Sequence, residues 1–285
     1  MIRSRLVDTE GAVFLSPPLN QADAAVFESF VVPHYLAFFG DMLLGMLLAG
    51  SAARIAHLGC RVGYPDRELL ERHPGSTIIG IDVSEAALER ARHRAHGLPG
   101  GSIQYVLGGR VPSALTSQSF SHVMCLHPVA GLESRVALLA EMQRLLYAGG
   151  QALIALPLRG SFQEVADLFR EYALKQDDGA FGRALEEAVS SRPSLESFSE
   201  ELEEVGLEDV DIEMRHAELS FDNGRGFLED PITRMLVIPE LQAALPRQDL
   251  AAPLEYLRDA IDKYWSEGRF SLTIHAGCAS ARKPW

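Results

Sequence analysis

The sequence is short of cysteine and of clustered positive charge. Its 285 residues contain three cysteines, which lie far apart in the chain: Cys60, Cys125 and Cys278. No pair of them has the spacing of a metal site or a disulfide framework, so we interpret them as small buried residues in a reducing cytoplasm. The net charge at pH 7 is −13, and no run of lysine or arginine is present. The sequence therefore predicts no nucleic-acid partner.

Several common catalytic and metal-binding motifs are also absent. The chain has no G-x-S-x-G elbow, no H-E-x-x-H pair and no Walker phosphate loop. Its nine histidines lack paired spacing, so we predict no metal site. Residues 1–14 include basic side chains but no long apolar run behind them. This pattern predicts no signal peptide and a cytoplasmic location.

One apolar stretch, residues 30–50, is almost long enough to cross a bilayer. It is interrupted by Pro33, His34 and Asp41, and its large apolar residues recur at spacings of three and four. That period is typical of a helix with one face on a protein core. We predict a packed helix and no membrane span, with docking to a membrane or a partner as the alternative.

Strand-like and helix-like segments alternate between residues 54 and 158. The pattern predicts strands at 54–58, 77–81, 103–107, 122–126 and 152–156. It predicts helices at 66–72, 85–95 and 134–147, the last one closed by Gly149 and Gly150. Strands separated by helices indicate a parallel sheet that is covered on both faces.

The pattern changes after residue 158. Residues 160–190 are predicted to be helical with a break at 176–179, and 194–205 form an acidic helix. A strand at 209–221, a helical insertion at 222–267 and a final strand at 270–280 follow. We predict one domain, residues 1–285. Its core would comprise about 51–158, 191–221 and 268–283, and its helical lid about 1–50, 159–190 and 222–267.

The most informative stretch is IAHLGCRVGYPDRELLERHPGSTIIGID, residues 55–82. It predicts a buried strand, a glycine turn at Gly59 and Gly63, a helix, and a second strand that ends at Asp82. Such a unit binds a nucleoside, because the turn lets a ligand approach the backbone and the acid accepts hydrogen bonds from ribose hydroxyls. Two alternatives remain open: a tight turn without a ligand, and an acid that stabilises the N-terminus of the next helix.

The order of elements, with HLGCRVGY, GIDVSEAALERAR, SQSFSHVMCLHPV, EMQRLLYAGGQALIALP and ELEEVGLEDVDIE, resembles class I S-adenosylmethionine-dependent methyltransferases. It is most similar to the small-molecule branch that includes ubiquinone/menaquinone and malonyl-carrier-protein methyltransferases. The resemblance implies an α/β fold: a Rossmann-like seven-stranded sheet with helices on both faces and a helical lid. It also implies S-adenosylmethionine as the cofactor. The residues it would place around that cofactor are His57, Gly59, Cys60, Gly63, Asp82, Val83, Gly109 and Arg110.

The chain departs from the family pattern around the same ligand. His57 stands where the family usually has an acid that positions the methionine end of the cofactor. Arg61 replaces the middle glycine of the turn, and Gly109, followed by Arg110, falls where an acid usually binds the adenine amino group. Ser121 replaces an acid whose role is mainly structural. These departures motivate a second hypothesis, a methyltransferase-fold pseudoenzyme that serves as a binding, scaffold or regulatory protein.

Methyl transfer needs alignment and exclusion of water more than a fixed set of catalytic groups. We predict in-line transfer to a small or carrier-bound molecule, with His127 as the candidate base because it follows the fourth strand. Tyr64 could face the cofactor or substrate, with packing as its alternative. Other aromatic residues could line an acceptor pocket, although core packing is the alternative for most of them: Tyr172, His216, Tyr256, Tyr264 and Trp265.

Overall fold

A computed structural model describes residues 13–48, 52–98, 101–129, 132–245 and 250–285. The N-terminal dozen residues, on which the absence of a signal peptide was argued, lie outside this range. The main sheet has seven strands: β2 (Arg54–Leu58), β3 (Thr77–Asp82), β4 (Ser102–Leu107), β6 (Phe120–Leu126), β7 (Leu146–Pro157), β8 (Glu208–Phe221) and β9 (Phe270–Arg282). A separate two-stranded sheet pairs β1 (Val13–Phe14) with β5 (Arg110–Val111) in antiparallel orientation.

The strand order of the main sheet is β4-β3-β2-β6-β7-β9-β8. The first five strands in this order run parallel, and β9 and β8 are antiparallel to their neighbours. The chain leaves β2 to form β3 on one side and returns to form β6 on the other. Ligands bind at such a switch point, outside the carboxyl ends of the strands. The predicted Rossmann-like sheet with seven strands is confirmed, and it is mixed because β9 and β8 run antiparallel to their neighbours.

Apolar side chains on both faces of the sheet explain why the central strands contain so few polar residues. On one face, alternate residues such as Ile55, Met124 and Leu153 join a large core with the N-terminal and C-terminal helices. On the other face, Ala56, Val123 and their neighbours pack against a smaller core. The sheet is therefore covered on both faces, as the sequence predicted.

Ten helices surround the sheet within the described ranges. They are α1 (Gln21–Met46), α2 (Asp66–Arg72), α3 (Glu85–Ala95), α4 (Leu132–Leu145), α5 (Gln163–Lys175), α6 (Gly179–Ser191), α7 (Leu195–Glu204), α8 (Gly224–Glu229), α9 (Ile238–Ala244) and α10 (Ala251–Tyr264). Serine and asparagine side chains cap several of these helices, including Ser84 before α3 and Ser194 before α7. The helix predicted to reach Tyr147 ends at Leu145, because Leu146 already pairs with Phe120 in the sheet.

Helix α1 contains the apolar stretch that raised the membrane question. It is the one helix in the described part of the chain that is long and apolar enough, by length and composition, to cross a bilayer. Half of its most apolar window is buried within the structure, with Phe39, Met42 and Leu43 in the core. A core helix has these same properties, so the finding gives only weak support for a membrane span.

Candidate functional site at the carboxyl edge of the sheet

The predicted cofactor residues converge where β2, β3 and β4 end. Gly59 follows β2, Asp82 ends β3, and Gly109 lies just beyond β4. A cavity of about 10 Å³ at this edge is lined by Gly59, Asp82, Val83, Gly109 and Arg110, among others. The structure therefore brings together residues that are 50 positions apart in the sequence.

Asp82 lies deepest in this group, and its carboxylate is bonded on both oxygens. Oδ2 accepts a hydrogen bond from the backbone N–H of Arg61 at 3.0 Å, and Oδ1 accepts one from Ser84 N–H at 2.8 Å. The residue is only 1% exposed. An ionised carboxylate has lone pairs for about four hydrogen bonds, so two remain for ligand hydroxyls. The carboxylate also ties the glycine turn to the start of α3.

The two glycines of the turn have positive φ values, +67° at Gly59 and +75° at Gly63, and both suit glycine for that reason. Their surroundings differ. A Cβ on Gly59 would face Leu15 at 3.7 Å, on the ligand side of the turn. A Cβ on Gly63 would collide with the Tyr105 hydroxyl. Gly63 therefore makes room for Tyr105, and its place beside the cofactor stays a prediction.

The adenine end of the predicted site consists of close backbone and side-chain packing. A Cβ added to Gly109 would lie 2.7 Å from the Cβ of Val83 and 3.1 Å from its backbone nitrogen. Val83 remains partly accessible beside the cavity, whereas Arg110 points to the exposed surface. Glu141 also lines this cavity, and its carboxylate accepts hydrogen bonds from Ser113 and Arg144.

Residues 13–20, which we call the N-terminal segment, cover the glycine turn. The Leu15 carbonyl accepts a hydrogen bond from Val129 N–H at 2.8 Å. The Pro17 carbonyl accepts one from Arg61 Nη1 at 2.7 Å. Leu19 donates through its N–H to Ser84 Oγ and accepts through its carbonyl from the same hydroxyl. These contacts close the edge of the sheet and explain why Asp82 is buried.

A chain of three buried side chains lies behind the methionine end of the predicted site. His57 Nδ1 lies 2.7 Å from Asp66 Oδ1, and the Tyr105 hydroxyl donates to Asp66 Oδ2 at 2.8 Å. His57 is 1% exposed and Asp66 is 0% exposed. Burial and the neighbouring Asp66 carboxylate raise the pKa of Tyr105, so it stays a donor. The sequence analysis did not identify Asp66 or Tyr105.

Arg61 occupies the space above the turn. Its guanidinium lies 5.4 Å from the centre of the Phe27 ring, and the residue is buried. Burial lowers its pKa, while the nearby Asp82 carboxylate acts in the opposite direction. Its Nη2 atom has no hydrogen-bond partner. A buried guanidinium with a free N–H group is a ready partner for an anionic group.

A second cavity of about 10 Å³ adjoins the turn and is lined by His57, Gly59, Arg61, Tyr64 and Leu126, among others. Two polar atoms of this lining, His57 Nε2 and Arg61 Nη2, are buried and unpaired. Cys60 also borders the cavity. However, its sulfur packs toward Gly80 on the far side, and burial raises the pKa of its thiol. The predicted role of Cys60 is therefore reduced to its backbone in the turn.

His127, the predicted base, is buried between two aromatic rings. Its Nε2 lies 2.9 Å from the Tyr35 hydroxyl, and the Phe39 ring centre lies 5.1 Å from the imidazole centre. Burial lowers the pKa of His127 to about 4, so the ring is neutral near pH 7. Nδ1 has no partner. In this arrangement His127 can accept or donate a hydrogen bond but is a weak base.

The predicted aromatic pocket residues do not meet at one place. Tyr172 packs against Phe181 and Tyr256, Trp265 packs on Phe270, and the Tyr264 hydroxyl bonds Glu171 near the surface. The His216 ring packs edge-on against that of His275 across β8 and β9. Tyr64 packs against Gly40 of α1. Tyr64 also lines the second cavity, whereas the other residues pack within the helical layer or, for His216, on the sheet.

An ion pair that the sequence analysis did not identify lies under the helical layer. Arg192 Nε bonds Glu240 Oε1 at 2.6 Å, and both side chains are largely buried. The Glu240 charge raises the pKa of Tyr35, although burial is the larger cause. Glu240 and Arg192 come from segments 48 residues apart, so no local sequence pattern could have paired them.

The described residues contain no group of three metal-ligating side chains. A larger open groove of about 590 Å³ lies at the opposite edge of the sheet, where β8 begins and β9 ends. None of the predicted site residues lines it. The predicted site residues therefore lie at the carboxyl edge of the sheet, even though the larger groove is at the opposite edge.

Comparison with known proteins adds three findings. Residues 56–154 match the family model of a methyltransferase domain. A trans-aconitate 2-methyltransferase of Acidovorax sp. (strain JS42) is 32% identical over 139 residues, which cover 49% of this chain and 51% of that protein. A malonyl-[acyl-carrier protein] O-methyltransferase of Serratia marcescens is 30% identical over 144 residues, covering 50% and 53%. The chain thus spans about half the length of the curated relatives it matches.

Among solved structures, a phosphoethanolamine N-methyltransferase 2 of Haemonchus contortus, in complex with S-adenosylhomocysteine, superposes with a TM-score of 0.57. The superposition covers 100% of this chain and 61% of that chain, at 16% sequence identity. At this identity the similarity concerns the fold.

Proposed function

We propose that this chain, which belongs to the class I S-adenosylmethionine-dependent methyltransferases, transfers a methyl group to a small or carrier-bound molecule. One observation carries the proposal. A buried carboxylate, Asp82, lies at the carboxyl end of β3, beside the glycine turn and at the switch point of the sheet. That is where a parallel sheet binds a nucleoside.

The side chains present match the chemical groups of S-adenosylmethionine. Asp82 can accept from the ribose hydroxyls. Arg61 Nη2 and His57 Nε2, which are buried and unpaired, could bind its carboxylate and ammonium groups. Val83 offers an apolar surface for the adenine ring. The residues therefore fit the cofactor by donor, acceptor and charge.

The closed arrangement does not leave space for the whole cofactor. The two cavities at the site are about 10 Å³ each, whereas small-molecule pockets usually measure about 300 Å³ or more. Leu15 and the Pro17 carbonyl occupy the ligand side of the turn. We infer that the N-terminal segment moves away when the cofactor enters.

The cofactor supplies a methyl group that is already activated, so this chain has to position the acceptor and keep water out. Tyr35 and His127, held together under the helical layer, can orient an acceptor by hydrogen bonds. Arg192 can bind a carboxylate in place of Glu240. The two curated relatives are named for carboxylate-bearing molecules, trans-aconitate and a malonyl carrier protein. We propose a carboxylate-bearing acceptor here too. The predicted similarity to ubiquinone and menaquinone enzymes is not confirmed.

Calorimetric titration with S-adenosylmethionine and S-adenosylhomocysteine tests the proposal. We expect binding that disappears in Asp82→Ala and persists in Glu85→Gln, which removes an exposed carboxylate three residues away. Absence of heat at ligand concentrations near a millimolar would overturn the proposal. That result would favour the alternative predicted from the sequence, a methyltransferase-fold protein without catalysis.

A further inference from the structure

Two residues that line the same cavity at the methionine end of the site each carry a buried nitrogen without a hydrogen-bond partner: His57 Nε2 and Arg61 Nη2. An unpaired polar atom in a protein interior costs free energy unless a ligand or a water satisfies it. The other nitrogen of His57 is fully engaged with Asp66. The imidazole ring is therefore held through Nδ1, and Nε2 remains available to a ligand.

Building on the proposed function, we propose that Asp66 and His57 together replace the acid that similar methyltransferases carry at position 57. In this role His57 Nε2 accepts a hydrogen bond from the ammonium group of the cofactor. Asp66 is a positioning residue, since it acts through His57 and does not touch the ligand. Its ionised carboxylate supplies the negative charge that position 57 lacks.

The tautomer of His57 follows from its partner. An ionised carboxylate can only accept hydrogen bonds, so Nδ1 carries the proton that is donated to Asp66 Oδ1 at 2.7 Å. In a neutral ring the lone pair then lies on Nε2, which is the ring nitrogen without a partner. A nitrogen lone pair at this place can accept a hydrogen bond from an ammonium group, as a carboxylate oxygen would.

Asp66 is held in place from its other side. Its Oδ2 accepts from the Tyr105 hydroxyl at 2.8 Å, and Tyr105 reaches it because Gly63 has no side chain. Asp66 is also the first residue of α2, where the helix dipole stabilises a negative charge. The carboxylate is therefore fixed behind the ring through both of its oxygens.

Arg61 completes the recognition of an amino-acid group. Its Nη2 borders the same cavity as His57 Nε2. A donor with positive charge beside an acceptor matches a carboxylate next to an ammonium group. A site with the usual acid at position 57 and glycine at position 61 offers no such side-chain donor. His57 and Arg61 are the departures from the family pattern that suggested a loss of cofactor binding. In this proposal they act together to bind the amino-acid group.

The test compares two ligands that differ only at the amino-acid end. S-adenosylhomocysteine contains this end, and 5′-methylthioadenosine lacks it. In Asp66→Asn we expect affinity for S-adenosylhomocysteine to fall on the order of tenfold. Affinity for 5′-methylthioadenosine should stay within about twofold, because the adenosine contacts remain. Glu71→Gln, an exposed charge change on the same helix, serves as the control and should change neither affinity.

A rescue variant separates positioning from simple packing. The double variant His57→Glu with Asp66→Asn moves the carboxylate from position 66 to position 57. It should recover most of the affinity that Asp66→Asn loses for S-adenosylhomocysteine. Nitrogen NMR of the ligand-free protein should show His57 protonated on Nδ1 and unprotonated on Nε2.

The outcomes separate this inference from the proposed function. If wild type binds both ligands and Asp66→Asn weakens both equally, Asp66 only supports the fold and the inference is wrong. A proton found on Nε2 of His57 would also overturn it. If wild type binds neither ligand, the proposed function fails first and the inference fails with it. Should Asp66→Asn not fold, Tyr105→Phe is expected to give a smaller, selective loss for S-adenosylhomocysteine.

Discussion

The ribose end and the amino-acid end of the site are built in different ways. At the ribose end, one residue from the expected sequence position, Asp82, bonds two backbone N–H groups nearby. At the amino-acid end, His57 depends on Asp66 and Tyr105, which come from a helix and from a different strand. A substitution that looks like a loss at one position can therefore be compensated by residues elsewhere in the chain.

The largest expected effect concerns Asp82. Asp82→Asn should lower affinity for both 5′-methylthioadenosine and S-adenosylhomocysteine, each by about thirtyfold or more, because both ligands carry the ribose. Asp66→Asn should affect one ligand only. Calorimetric titration of both variants with both ligands checks this difference. A selective effect of Asp82→Asn on one ligand would contradict our division of the site into two ends.

Gly63→Ala is expected to destabilise the protein by about 3 kcal/mol, since it combines a positive φ with a clash against the Tyr105 hydroxyl. Urea denaturation measures the free energy of unfolding. The double variant Gly63→Ala with Tyr105→Phe should recover part of this loss, as the hydroxyl is gone. Gly75 also has a positive φ, but a Cβ added there would have no atom within 4 Å. Gly75→Ala should therefore lower the free energy of unfolding only by the backbone strain. Equal losses in Gly63→Ala and Gly75→Ala would show that Tyr105 is not what requires glycine at position 63.

Leu15→Ala tests the closed N-terminal segment, which covers both ends. Removing the buried side chain should destabilise the closed N-terminal segment by about 2 kcal/mol. The segment should then be open in a larger fraction of the molecules. Because ligand binding competes with closure, affinity for S-adenosylhomocysteine should rise severalfold. Hydrogen exchange of residues 13–20 should become faster. Leu174→Ala, a substitution at an exposed position, should change neither the affinity nor the exchange rate. If Leu15→Ala shows faster exchange but unchanged affinity, the N-terminal segment does not compete with the ligand.

The smallest expected effect is at the adenine end. Gly109→Ala brings a Cβ to 2.7 Å from that of Val83, so we expect a loss of about 1 kcal/mol in the free energy of unfolding. Gly109→Asp introduces the acid that the family usually carries, but with the same clash. It should not improve affinity for 5′-methylthioadenosine, and tighter binding would show that the adenine end lacks only this carboxylate.

Much of the sheet could be predicted because its signals are local. Strand β2 and helices α2 and α3 have the predicted bounds, as runs of apolar residues and a serine cap determine them. The end of α4 was misplaced by two residues, since pairing of Leu146 with Phe120 depends on a partner 26 positions away. The β1–β5 pair was missed for the same reason.

Local sequence patterns are sufficient to predict the strands of the main sheet in their chain order, the glycine turn and the position of Asp82 at the edge of the sheet. The contacts of His57 with Asp66, of Gly63 with Tyr105, and of Leu15 and Pro17 with the turn become visible only in the folded chain. The physical reason is that periodicity and capping act between neighbours in the chain. A hydrogen bond needs only a distance near 3 Å, and here it joins residues such as Asp66 and Tyr105, 39 positions apart.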